Sequence, residues 1–226
     1  MKTDMALIEL KGIQKSFPDG SGRSNTILRD VTFSVERGES VAVTGPSGSG
    51  KTTLLRMLGT LLEPDKGTYT LDGDNPFANP YQVRNRKIGF VFQDHRLLPQ
   101  YTVLQNILMP CLATAQSATE QQVSYARALM SRTGIDGLEG QYPQTLSGGE
   151  AGRAALCRAL VMEPLLVLAD EPTGQLDADN ADAILSLLTE LVKERSTTLI
   201  MVTHSEQTAA AAARRLCIEN RTVIEK

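Results

Sequence analysis

An α/β fold with a mostly parallel core sheet, an antiparallel β edge and an inserted helical subdomain is what this 226-residue sequence predicts, on three observations. Short, continuously apolar runs such as Val41-Ala42-Val43 and Leu165-Leu166-Val167-Leu168-Ala169 have the pattern of strands covered on both faces, as in a parallel sheet. Helical stretches alternate with these runs. Between Leu97 and Tyr142 apolar residues recur at helical spacing and β-branched runs are few, which predicts a helical insertion.

In chain order, Leu7 to Phe17 and Ile27 to Val35 read as two antiparallel strands joined through the turn-forming Pro18-Asp19-Gly20-Ser21-Gly22. Ser40 to Thr44 is a strand running into a glycine-rich loop, and Thr52 to Leu62 a helix carrying Leu54, Leu55, Leu58, Leu61 and Leu62. Ile88 to Phe92 is the next strand. Beyond the insertion, Leu165 to Ala169 is a buried strand, Ile184, Leu187, Leu188, Leu191 and Val192 mark one face of a helix, and Leu199 to Val202 is a further strand. Thr208 to Arg215, with five consecutive alanines, predicts a surface helix before a last strand pair near Cys217 and Val223. The expected organisation is one domain over 1–226, with 1–93 and 161–226 forming the core and β edge and about 94–160 the helical subdomain.

A composition of 41% hydrophobic and 22% charged residues excludes a disordered or collagen-like chain. The net charge of -3 gives no general electrostatic reason for a nucleic-acid partner. Cys111, Cys157 and Cys217 are odd in number, widely spaced and set among apolar residues, so buried reduced thiols are expected rather than disulfides or zinc. No run approaches the ~18 apolar residues of a bilayer-spanning helix, and Met1 to Glu9 lacks the apolar core of a signal peptide. Any membrane role must come through a partner.

Three elements carry chemistry. Gly45-Pro46-Ser47-Gly48-Ser49-Gly50-Lys51-Thr52 fits the phosphate-loop pattern at every fixed position. Its glycines let backbone N–H groups turn toward phosphate oxygens, Lys51 neutralises the β and γ phosphates, and the Thr52 hydroxyl suits magnesium, at the positive end of a helix. The second element, Asp170-Glu171, ends the buried strand from Leu165. A carboxylate there is placed for magnesium, so Asp170 reads as the metal-side acid and Glu171 as the group that orients and deprotonates an attacking water. Acids also end strands merely because they are solvated. The third element, Leu146-Ser147-Gly148-Gly149-Glu150, puts a hydroxyl and two bare amides at a helix N-terminus, an anion-binding device without an anion of its own. Alone it would be an ordinary turn.

The ordered set of phosphate loop, Gln93, Leu-Ser-Gly-Gly-Glu, Asp170-Glu171, Leu176-Asp177 and His204 resembles the nucleotide-binding subunit of ABC transporters over essentially the whole chain. The resemblance implies a P-loop NTPase of ABC type with a RecA-like core, acting on ATP with Mg2+. It further implies a homodimer, or a heterodimer with a close relative, in which Ser147, Gly148 and Gly149 of one subunit close over the ATP held by Gly45, Ser47, Gly48, Ser49, Gly50, Lys51, Thr52 and Thr53 of the other. Gln93 is thereby assigned to magnesium and the lytic water, His204 to the γ-phosphate, Asp177 to the dimer-spanning loop and Phe17 to stacking on adenine. In isolation Gln93 would read as a polar loop residue, His204 as an N-cap-like residue and Phe17 as core. His95 has no motif role and reads as a solvated loop histidine. Two departures stand out: Ala151-Gly152 where the family usually has polar helix formers, and Gln175 in place of a smaller side chain. A glycine inside a helix costs about 1 kcal/mol against alanine, so the start of this helix is expected to be looser.

The family implies a separate transmembrane permease and hence a cytoplasmic subunit, peripheral on the inner face of the membrane. The segment Leu97 to Val103 either docks that permease or packs its own subdomain. Ile88 to Gln93, Leu97-Leu98-Pro99, Met109-Pro110 and Leu168 to Gly174 look most similar to the lipoprotein-releasing (Lol) and macrolide-exporter ATPases, with the cell-division ATPase FtsE close by.

Overall fold

The computed structural model describes residues 6–20, 24–113 and 115–226; Ser21 and Gly22 of the expected first turn, and Met1 to Met5, lie outside the described residues. Strands β1 (Ile8–Pro18), β2 (Ser24–Val35) and β4 (Lys66–Leu71) form an antiparallel sheet in the order β2-β1-β4. A second, six-stranded sheet has the order β5-β6-β7-β3-β8-β9, with β3 (Ser40–Thr44), β5 (Ile88–Phe92), β6 (Leu166–Asp170), β7 (Thr198–Val202) and β8 (Arg214–Glu219) parallel. Only β9 (Thr222–Glu225) runs antiparallel, against β8, which gives the expected last strand pair.

The apolar runs are buried on both faces because their side chains alternate between two cores. Leu166, Leu168, Ile200 and Val202 join β1, β2 and helix α1 (Lys51–Leu58) in one cluster. Val167, Ala169, Leu199 and Met201 point the other way, into a cluster with helices α3 (Val103–Leu112), α4 (Glu120–Arg132), α5 (Gly148–Leu160) and α6 (Ala178–Glu194). The helical insertion therefore shares its core with the sheet. Closest approach is at Gly89 of β5, where a Cβ would stand 2.2 Å from the Ala159 carbonyl oxygen of α5. Only glycine lets this helix rest on this strand. All three cysteines are buried and unpaired, and burial raises the Cys157 thiol to about 11.

The predicted helix from Thr208 to Arg215 is shorter than expected. Helix α7 (Glu206–Ala210) is capped by Ser205 and carries buried Thr208 and Ala209, and Arg214 already belongs to β8. The chain turns where the Ala213 amide donates to Ser40 Oγ at 2.9 Å, so a tertiary bond overrides the helix propensity of alanine. Likewise α1 stops at Leu58, with Gly59 as its C-cap. Helix α2 (Pro80–Lys87) was not anticipated; it buries none of its residues and has no apolar face to read.

Candidate active site

Parallel register assembles the site. Val43 of β3 pairs with Val202 of β7, Val202 with Asp170 of β6, and Asp170 with Phe92 of β5. One row across the sheet thus ends four strands together, and the phosphate loop, His204, Glu171 and Gln93 all leave the same edge. Carboxyl ends of parallel strands are where α/β folds bind ligands.

The loop between β3 and α1 is built on positive-φ glycines, Gly45 at 146°, Gly48 at 76° and Gly50 at 108°. A Cβ at Gly45 would meet Ile218 O and Ser49 Oγ at 2.8 Å each, and one at Gly50 would meet Leu28 and Ile27 of β2 at 2.9 and 3.0 Å. Ser47 and Gly48 form the exposed crest, and Thr52 is exposed on the first turn of α1 beside Thr53. Lys51 Nζ folds back to donate to Gly45 O at 2.8 Å and Pro46 O at 3.0 Å, while Ser49 Oγ is buried with no partner. A cation spending its donors on carbonyls and an orphaned hydroxyl in one loop fit an anion that would draw on both.

Asp170 and Glu171 are held differently. Burial first, and the Glu171 charge second, push the Asp170 pKa up, with Arg56, Arg96 and Lys51 opposing. Glu171 has φ 46° and accepts three bonds: Thr203 Oγ1 to Oε2 at 2.9 Å, and the His204 amide and Nδ1 to Oε1 at 3.0 and 2.6 Å. The Glu171 carboxylate is only 15% exposed, whereas the His204 ring is 74% exposed. His204 therefore spends Nδ1 on Glu171 and leaves its other nitrogen outward. Gln93 is exposed and lies beside Gly174, where a Cβ would touch Gln93 Nε2 at 3.0 Å and Glu171 Cβ at 3.4 Å. Phe17, at the end of β1, pairs with Asn25, two residues from the Ile27 that contacts Gly50. Its ring is 39% exposed, with Lys15 Nζ 5.6 Å from the centroid, so it is not a core residue.

Ser147, Gly148, Gly149 and Asp177 form a second cluster at the N-termini of α5 and α6. Ser147 and Glu150 close a capping box: the Ser147 amide and hydroxyl donate to Glu150 Oε2 at 2.7 and 2.8 Å, which holds the Glu150 carboxyl below its usual range. Gly149 rests against Asn180, whose Oδ1 would be 2.5 Å from an added Cβ, and Asp177 caps α6 by accepting from the Asn180 amide and Nδ2 at 3.0 and 2.8 Å. Among the described residues no hydrogen bond joins this cluster to the phosphate loop. The box gives α5 a capped start, with Gly152 buried in its second turn.

Sequence reasoning missed Thr203, buried and bonded to Glu171, and Arg158, which donates to the carbonyls of His95 and Arg96 just beyond Gln93. The signals were faint: a threonine directly after an apolar strand, and an arginine on the buried side of a helix. His95 is part-buried rather than solvated, and desolvation lowers its pKa.

The sequence profile of ABC transporters matches residues 28–174. The chain is 46% identical over 203 residues, 88% of each chain, to "Lipoprotein-releasing system ATP-binding protein LolD 1" of Rhodopirellula baltica. With the LolD of Myxococcus xanthus it shares 42% identity over 225 residues, 98% of this chain and all of the other. The solved ATP-binding cassette MJ0796, a dimer in a post-hydrolysis state with ADP and phosphate, superposes with TM-score 0.87 at 31% identity over 97% of both chains. With the phosphate loop, the acid pair and the capped Ser-Gly-Gly turn in the order and places described, this protein belongs to the ABC transporter family, as one of its ATP-hydrolysing cassettes.

Proposed function

We propose that this chain is the ATPase subunit of a lipoprotein-releasing transporter, and that two copies enclose two ATP molecules while a separate permease carries the membrane-spanning part. The row of strand ends carries the reading, because it gathers a phosphate cradle, a base and a charge-bearing acid at one edge. LolD relatives in several organisms support lipoprotein release over a cell-division role. The dimeric MJ0796 supports the pairing, since Ser147 and Gly148 are exposed at a helix N-terminus with no anion from their own chain. No helix among the described residues is long and apolar enough to cross a membrane. The likeness to LolD supports a place on the inner face, held there by the permease.

In this reading Lys51 and the loop amides hold the β and γ phosphates, Phe17 stacks on adenine, and Asp177 reaches across the dimer. Thr52, Gln93 and Asp170 would hold Mg2+; a hydroxyl, an amide and a carboxylate whose ionisation burial disfavours suit a hard cation that would stabilise the charged form. When bound, Mg2+ supplies charge neutralisation on the phosphates. Glu171, with both oxygens oriented by Thr203 and His204, takes the proton of a water attacking the γ-phosphorus as the bond to ADP breaks. His204 would reach the γ-phosphate with its outward nitrogen, which donates there only when both ring nitrogens carry a proton, since Nδ1 already donates to Glu171.

Glu171→Gln removes the base and keeps the cradle. Turnover is expected to fall by at least ~100-fold, with ATP binding intact and the protein accumulating as a dimer on size-exclusion chromatography in ATP. Parental turnover in this variant would remove Glu171 from the mechanism.

A further inference from the structure

His95 and Gly152, which the sequence left without a role, meet in the fold. The imidazole packs on α5 where Gly152 is bare: a Cβ there would stand 3.5 Å from His95 Cε1 and 3.3 Å from Ile184 Cδ1, and a longer side chain would need the space the ring fills. His95 Nδ1 is buried without a hydrogen-bond partner, so this nitrogen gives the ring no polar anchor. Farther along the same helix, the Arg158 guanidinium donates to His95 O at 2.5 Å and to Arg96 O at 2.6 Å. Both gripped residues are left-handed, with φ 55° and 50°, a conformation that residues with side chains hold only where their surroundings enforce it. The Arg96 guanidinium closes the turn onto β5 by lying 4.3 Å from the Phe92 ring centroid.

We propose that His95 is a positioning residue: seated on Gly152 and clamped by Arg158, it fastens the turn that starts at Gln93 to the helix that starts at Ser147. Gln93 faces the chain's own nucleotide and Ser147 the partner's, so this latch joins the two sites through one short rigid path. When α5 settles on the partner's ATP, Gln93 is carried with it. The inference rests on the assignment of Gln93 to the lytic water.

The test uses the full-length protein. Gly152→Leu should displace the imidazole and lower kcat about tenfold while KM for ATP stays within about twofold, because the phosphate loop is untouched and only the reacting geometry slips. Amide hydrogen exchange over 93–97 should quicken in the same variant. His95→Gly removes the ring and accepts the left-handed backbone, so it should give the same loss of kcat and the same faster exchange, and combining it with Gly152→Leu should cost little more because the latch is already open. Arg158→Lys keeps the charge and loses the fork, so it should give the same kcat effect and the same faster exchange, and it decides the matter if Gly152→Leu does not fold. Unchanged kcat in these variants, lost kcat without faster exchange at 93–97, or losses that multiply when His95→Gly is combined with Gly152→Leu would overturn the latch. Gln93→Ala separates the two ideas: parental turnover there defeats the assignment of Gln93, whereas lost turnover there with full activity in Gly152→Leu and Arg158→Lys defeats the latch alone.

Discussion

Asp170, proposed above as a magnesium ligand, is costly to the fold that carries it. Its raised pKa, set by burial and then by the Glu171 charge, means that the ionised carboxylate is less favourable in the folded chain than in the unfolded one. Since the folded value is the higher of the two, the cost is fully present above it and disappears as pH falls below the unfolded value of about 3.9. Asp170→Asn abolishes this titration. In chelator and without nucleotide, the variant should melt at a higher temperature than the parent at pH 7.5, with the gap narrowing as the pH is lowered toward 4, while its ATPase activity is lost. Equal melting temperatures at pH 7.5 would show that the carboxylate is not disfavoured. The phosphate loop was legible in the sequence from its fixed spacing, and the acid pair only in company with that loop, since acids also end strands because they are solvated. Thr203 and Arg158 were not, because they act across 32 residues to Glu171 and 62 to Arg96, and only the folded chain brings them together.

Elements were legible where one pattern dominated. Strands β3, β6 and β7 announce themselves as unbroken apolar runs; β4 and α2 are short and polar, and exist because neighbouring segments pair or cap them. Of the two alternatives open for the segment before α3, packing of its own subdomain is what the structure shows, and one side chain is left outside it. Leu97 and Val103 pack into the helical core, whereas Leu98 is 39% exposed on a turn that buried Asn106 organises by donating to the carbonyls of Leu98, Tyr101 and Thr102. Nearby, α2, β5, α3 and α5 enclose a groove of about 610 Å³ lined by Phe90, Phe92, Pro110 and Met162, with Tyr81 78% exposed at its side. Exposed apolar groups beside such a groove suit a partner's helix. Leu98→Asp should change stability by no more than about 0.5 kcal/mol, as surface substitutions usually do, and leave the ATPase of the isolated subunit intact. Co-purification with the permease from detergent extracts should be lost. A variant that still co-purifies would move the docking face elsewhere.

At the scale of the whole molecule, the proposed function divides each ATP site between two places on the chain: the phosphate loop at the sheet edge, and the capped Ser147-Gly148 turn at the end of α5. The sequence supplied both halves but not their separation, which is a property of how α5 lies on the sheet. If the halves complete one another only between copies, two inactive variants can repair each other. Lys51→Ala removes the charge from a chain's own cradle and leaves its turn sound; Ser147→Arg blocks the turn and leaves the cradle sound. Each homodimer is dead at both sites. In a mixed dimer, one site combines the two defects and the other combines the intact cradle of the Ser147→Arg chain with the intact turn of the Lys51→Ala chain. At equal mixing about half of the dimers are mixed, each with one working site of two, so activity should return to a ceiling of about a quarter of the parental rate. A chain whose turn served its own phosphate loop would gain nothing from mixing, because every site would keep its defect; ATPase activity across mixing ratios, peaking at equal amounts or flat at zero, distinguishes the two arrangements.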